Sequence, residues 1–157
     1  MKQSNKLPLN IKEIKNYIGK DLGTSDWFLV SQKKIKAFAE STQDFQWIHL
    51  DEERAKKESP FKTTIAHGYF TLSLLPMFVD QILEYKNVKR SINYGANKIR
   101  FLSPVLSESH IRAKLHLMSA DDFKGGLRLT NNVEIQIKDE ERPAMVAETL
   151  SVVYPIL

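Results

Sequence analysis

In residues 110–118, "HIRAKLHLM", apolar and polar side chains alternate from His110 to Leu117. Ile111, Ala113, Leu115 and Leu117 fall on one side, and Arg112, Lys114 and His116 on the other. A helix, with its period of 3.6, cannot separate those two sets. An extended strand does so and buries one of its faces. "LRLTNNVEIQIK" repeats the pattern with Leu127, Leu129, Val133, Ile135 and Ile137, and "AMVAETLSVVY" reads as a third long strand. Gly125-Gly126 and "KDEERP" supply the turns between them, so the last third of the chain is expected to form an antiparallel meander. "NKIRFL" reads as an earlier strand.

The first half has a different period. "GYFTLSLLPMFVDQILEY", from Gly68 to Tyr85, carries apolar residues around nearly all of a helical circumference, which predicts a helix buried on most sides. Pro76 inside it predicts a kink. Ser31 suits the N-cap of "QKKIKAFAES", where Ile35, Phe38 and Ala39 share a face, and Asp51 suits the cap of "EERAKKE". "NIKEIKNYIG" reads as a short helix that Gly19 ends, "DWFLV" as a strand, and "SPFKTTIAHG" as a loop feeding the long helix. One long buried helix with a meander of strands predicts an α+β fold whose sheet curls around the helix. The 157 residues predict one domain, 1–157.

Composition narrows the function classes. The chain has no cysteine, so thiolate metal sites and cysteine nucleophiles are excluded. Net charge is +4, but "QKKIK" and "NVKR" are the densest basic clusters, and neither makes the stripe expected of a nucleic-acid binder. The mild positive excess also fits a small phosphorylated ligand. The N-terminal stretch lacks the apolar core of a signal peptide, and the longest apolar run, Gly68 to Val79, is too short to span a bilayer. A cytoplasmic protein without a membrane partner is the expectation.

"STQDFQWIHLDEERA" holds the first candidate site, Asp44 and His49. On one continuous helix this spacing would set them about 140° apart, so they converge only if the chain turns within "FQW". An Asp just after a helix also suits a cap or turn, and a lone His also suits a surface or core position. The second candidate is Gly68 in "TIAHGYF". A backbone N–H at a helix start is free to stabilise a developing oxyanion, while a glycine there also permits close packing. His67 reads as structural.

Taken together and in this order, these elements resemble the MaoC-type dehydratases, the group that contains (R)-specific enoyl-CoA hydratases. That family's signature runs from an aromatic near a helix end through an Asp and an apolar-His pair to a small residue six positions on. Phe38, Asp44, Ile48, His49 and Ala55 match it here. The likeness is nearer to the nodulation protein N subgroup, on "DFQWIH", "TIAHGYFTLSLLP" and "NYGANKIRF". It covers about Trp27 to Tyr154. Gln43, Gln46 and Trp47 stand where the hydratase pattern has Gly, Asn and Pro, and Pro76 stands where some hydratases place a site-lining serine.

The resemblance implies a hotdog fold, with a long central helix wrapped by a curved antiparallel sheet. It implies addition of water to a trans-2-enoyl thioester, or the reverse dehydration of a 3-hydroxyacyl thioester. Asp44 and His49 would hold the water, and the Gly68 N–H would polarise the thioester carbonyl. Asn97 and Arg100, in the subgroup's own motif, would bind substrate; Arg100 suits a phosphate or carboxylate, and equally a structural salt bridge. Neither a metal nor a redox cofactor is implied, coenzyme A being part of the substrate. The expected partners are an acyl-CoA or acyl-carrier-protein thioester and a second copy of the chain, in a homodimer or dimer of dimers. A non-catalytic thioester-binding module and a thioesterase are the alternatives on the same fold.

Overall fold

The computed structural model describes residues 6–156. The strands are β1 (Leu7–Asn10), β2 (Lys20–Thr24), β3 (Phe28–Val30), β4 (Leu83–Lys86), β5 (Val88–Phe101), β6 (Ser109–Phe123), β7 (Gly126–Ile137) and β8 (Met145–Pro155). The α-helices are α1 (Gln32–Thr42), α2 (Trp47–Leu50), α3 (Glu52–Glu58), α4 (Gly68–Ser73) and α5 (Leu75–Ile82).

The alternating segments pair as their pattern requires. β6, β7 and β8 form an antiparallel meander, with Ala113 opposite Ile135 and Val133 opposite Ala147. β5 adds to β8, β2 and β3 add to β6, and the strand order is β2-β6-β7-β8-β5 with β3 beside β6. Ile111, Ala113, Leu115 and Leu117 are buried on the inner face, joined by Leu129, Val133 and Ile135. Phe70, Leu75, Phe78 and Ile82 of α4 and α5 fill the concave side of this sheet in one continuous core. β1 and β4 pair in parallel as a separate two-stranded unit.

Several local expectations hold. α1 begins after Ser31 and buries Ile35 and Ala39, with Phe38 partly buried against the core. Asp51 caps α3 by accepting a 2.9 Å hydrogen bond from the Arg54 N–H. Other expectations need correction. The long helix is broken at Leu74, with Pro76 in the first turn of α5, where a missing N–H breaks no helical bond. It also stops at Ile82, because 83–86 extend to pair with β1. Its outer side is open rather than covered, with Tyr69 69% exposed. "NIKEIKNYIG" contains only a single 3-10 turn, Ile14–Tyr17, and its start belongs to β1 and the turn after it. β5 is much longer than "NKIRFL" and almost wholly exposed.

Candidate active site

α1 ends at Thr42, and the following Gln43 turns left-handed at φ 60°. That turn sends the chain back on itself, so Asp44 leaves the helix end and His49, on the single-turn α2, comes round to face it. The expected convergence occurs: one carboxylate oxygen of Asp44 and one nitrogen each of His49 and His67 lie within 4.8 Å of one another. Asp44 is half exposed, and His49 and His67 are buried. Asp44 also plays the local role, since its Oδ1 accepts a 3.4 Å bond from the Gln46 N–H.

His49 is held from two directions. Its Nδ1 lies 2.7 Å from the Ile65 carbonyl oxygen, and because a carbonyl only accepts, Nδ1 carries the proton. In the neutral ring Nε2 is then bare. The His49 carbonyl accepts 2.8 Å from the Gln32 amide, whose oxygen accepts 2.6 Å from the Thr64 hydroxyl. Ile65 is itself fixed, because its N–H donates to Ile48 and the next N–H, of Ala66, donates to Val105. Burial pushes His49 below the ordinary histidine value; the neighbouring His67 acts in the same direction, while the bond to Ile65 and the Asp44 charge oppose it.

α4 starts at Gly68 directly beside this pair. Gly68 and His49 line one cleft of about 290 Å³, whose walls include Ile65, Ala66, Thr71, Phe101 and Ser103. A methyl group at Gly68 would sit 3.0 Å from the Phe101 ring, so a side chain at this position requires the ring to shift. The hydroxyl on this helix at the cleft belongs to Thr71, which is buried; Pro76 is exposed and does not line it.

His67, expected to be structural, lies at the centre of this group. It is 2% exposed, stacks on His49 with ring centroids 3.8 Å apart and directs Nε2 at the Asp44 carbonyl oxygen, 3.1 Å away. The three side chains resemble a cation site by distance alone. Within the group, the His67 nitrogen that points at Asp44 donates its proton to the Asp44 carbonyl.

Asn97 and Arg100 lie elsewhere. Asn97 donates to the Glu148 carboxylate. Arg100 sits in a shallow surface cleft with Lys98, Lys114 and Glu134, whereas its neighbour Phe101 borders the Gly68 cleft. The guanidinium donates to the Ile99 carbonyl, and among the described residues it forms no salt bridge.

The MaoC like domain profile matches residues 13–137. The chain belongs to the MaoC-like dehydratase family. Two relatives agree with that membership. The 3-hydroxyacyl-thioester dehydratase Z of Mycobacterium tuberculosis (strain ATCC 25618 / H37Rv) is 43% identical over 133 residues, 84% of this chain and 87% of its own. Nodulation protein N of Rhizobium leguminosarum bv. viciae is 38% identical over 148 residues, 92% and 91% of the two chains. A solved structure described as a monoamine oxidase regulatory protein from Archaeoglobus fulgius superposes with a TM-score of 0.79 at 26% identity, covering 96% of this chain and 97% of that one. The MaoC-like chain thus has the hotdog fold expected from its motifs. No helix among its described residues is long and apolar enough to cross a membrane.

Proposed function

We propose that this MaoC-like protein is an acyl-thioester hydratase/dehydratase, a lyase that adds water to a trans-2-enoyl-CoA or removes it from the 3-hydroxyacyl-CoA. The observation that carries the reading is the convergence of the Asp44 carboxylate with the His49 ring, whose Nδ1 is engaged by Ile65 and whose Nε2 is bare, beside the first N–H of α4. The family membership and the relative named for dehydration of 3-hydroxyacyl thioesters support it.

Hydration forms a C–O bond at carbon 3 and a C–H bond at carbon 2 and removes the double bond between them. Asp44 and His49 hold the water. His49 Nε2 takes a proton from it as the oxygen adds to carbon 3. Negative charge then develops on the thioester oxygen, where the Gly68 N–H donates to it. A proton passed back through the Asp44–His49 pair to carbon 2 restores both residues. No atom changes hands with an oxidant or reductant, and a single donor suffices for the carbonyl, so the reaction asks for neither a redox cofactor nor a metal. The exposed Arg100, free of carboxylate partners among the described residues, serves the phosphate-bearing end of the substrate together with Asn97. The enzyme acts as a cytoplasmic homodimer, its exposed β5 edge joining the partner's sheet.

The test is to mix the protein with crotonyl-CoA. Loss of the enoyl-thioester ultraviolet band without release of free thiol is the expected result. Release of thiol identifies a thioesterase, and no change in either identifies a binding module; both results refute the proposal.

A further inference from the structure

His67 occupies a position that neither its burial nor its place beside Gly68 explains by packing alone. Its ring is held between Phe38, at 5.1 Å between centroids, and His49, at 3.8 Å and 26°. Its Nε2 reaches the backbone of Asp44, not the side chain: the carbonyl oxygen is 3.1 Å away and the nearest carboxylate oxygen 4.0 Å. A carbonyl accepts only, so the proton sits on Nε2. The other nitrogen, Nδ1, is buried with no partner among the described residues. Leaving a buried nitrogen unpaired costs free energy, which a purely structural residue at this position would avoid.

Asp44 needs such a tie. It follows a left-handed residue at the end of α1, its side chain is half exposed, and its only side-chain bond among the described residues is the long one from Gln46. The carbonyl of Asp44 is thus fixed to the residue that precedes the Gly68 donor, across 23 positions of sequence. Through the same imidazole, the backbone of Asp44, the face of His49 and the start of α4 share one rigid body.

We propose that His67 is a positioning residue for the hydration reaction: its Nε2–H tautomer anchors the Asp44 turn against His49, setting the separation across which the two hold their water. The proposal rests on the reading that Asp44 and His49 share that water. His67 itself touches neither water nor substrate.

Two substitutions separate the ring from the donor. His67→Phe keeps a ring between Phe38 and His49 and removes the N–H. His67→Gln loses the ring and keeps an N–H of similar reach. With crotonyl-CoA, His67→Phe is expected to lower kcat about ten- to hundredfold, as misplacement near an ångström does, with KM within about twofold of wild type. His67→Gln is expected to recover most of that loss. Asp44→Asn serves as the reference. A folded His67→Phe variant at the wild-type rate, beside an inactive Asp44→Asn, overturns the positioning role and leaves the Asp44–His49 reading standing. Asp44→Asn at the wild-type rate overturns that reading itself. Equal losses in the two folded His67 variants, or a change confined to KM, overturn the anchoring by the donor. Nitrogen NMR of the wild-type imidazoles covers the case in which His67→Phe does not fold. At about pH 8 the proposal requires a protonated Nε2 and a bare Nδ1 on His67, and the opposite tautomer refutes it.

Discussion

His49 donates its Nδ1 proton to the carbonyl oxygen of Ile65 across 2.7 Å. That single bond decides which end of the imidazole is basic. It leaves Nε2 unprotonated in the neutral ring, which is the form a general base needs.

The pair is expected to act as a unit. Asp44→Asn and His49→Ala should each lower kcat on crotonyl-CoA by roughly a hundredfold or more, the usual worth of a positioned acid or base. The double variant should be little worse than the poorer single one, because either change leaves the shared water without its second holder. Steady-state kinetics on variants with wild-type circular dichroism would check this. Independent, multiplying losses would count against a shared water.

The burial of His49 gives a pH dependence of known sign. Its folded-state value lies below 6.5, chiefly because burial disfavours the imidazolium. Between the lowered value and 6.5 the unfolded chain binds more protons than the folded one. The contribution of His49 to stability is therefore complete above pH 6.5 and is lost as pH falls through this window. Denaturant midpoints measured from neutral to mildly acid pH should fall in the wild type and fall less steeply in His49→Gln. The acid limb of kcat/KM should likewise lie below 6.5. An acid limb above that value would mean that His49 is not the base.

The exposed edge of β5 gives a prediction about assembly. Ile92 and Tyr94 are 45% and 52% exposed on an outermost strand of 14 residues, an edge that a two-fold partner would cover. Sedimentation at micromolar concentration should return about twice the 18.1 kDa chain mass. Ile92→Asp, which puts a charge on that edge, should shift the protein toward the monomer. A wild-type chain that sediments as a stable monomer would end the dimer reading.

The sequence carried the sheet clearly, because β6 and β7 separate apolar from polar residues over most of their length and each is half buried. The cap at Asp51 was local and equally plain, whereas Ser31 marks the start of α1 without a side-chain bond and the Gln32 N–H goes to Glu108 instead. The misses share one cause: each depends on a partner distant in sequence. β2 reads "KDLGT", with only Leu22 buried, and exists through its pairing with β6. Residues 83–86 continue an apolar run, and nothing in that run announces that β1 draws them into a strand. The first half of β5 shows no alternation, because no face of it is buried in the isolated chain. At the site, the motifs pointed to Asp44, His49 and Gly68, which the fold brings near one another, while the contacts of His67 with this group were not legible. Its contacts with Asp44 and His49 span 23 and 18 positions, and periodicity does not register contacts of that range.

The contact between Gly68 and Phe101 sets the last prediction. If the Gly68 N–H holds the thioester oxygen, proline at this position removes the donor, and its fixed φ is tolerated in the first turn of a helix. Losing such a donor typically costs on the order of a hundred- to a thousandfold in kcat. Alanine keeps the N–H, but it is not a silent control here, because its methyl group would lie 3.0 Å from the Phe101 ring. The ring is 46% exposed and has room to swing away, so Gly68→Ala should fold and lose a modest part of its activity. Phe101→Leu, which shortens the opposing side chain, should restore the alanine variant and leave the proline variant inactive. That pattern separates a missing donor from a steric block within one set of four proteins. If Phe101→Leu rescues proline and alanine alike, Gly68 is a packing glycine and the thioester oxygen is held elsewhere.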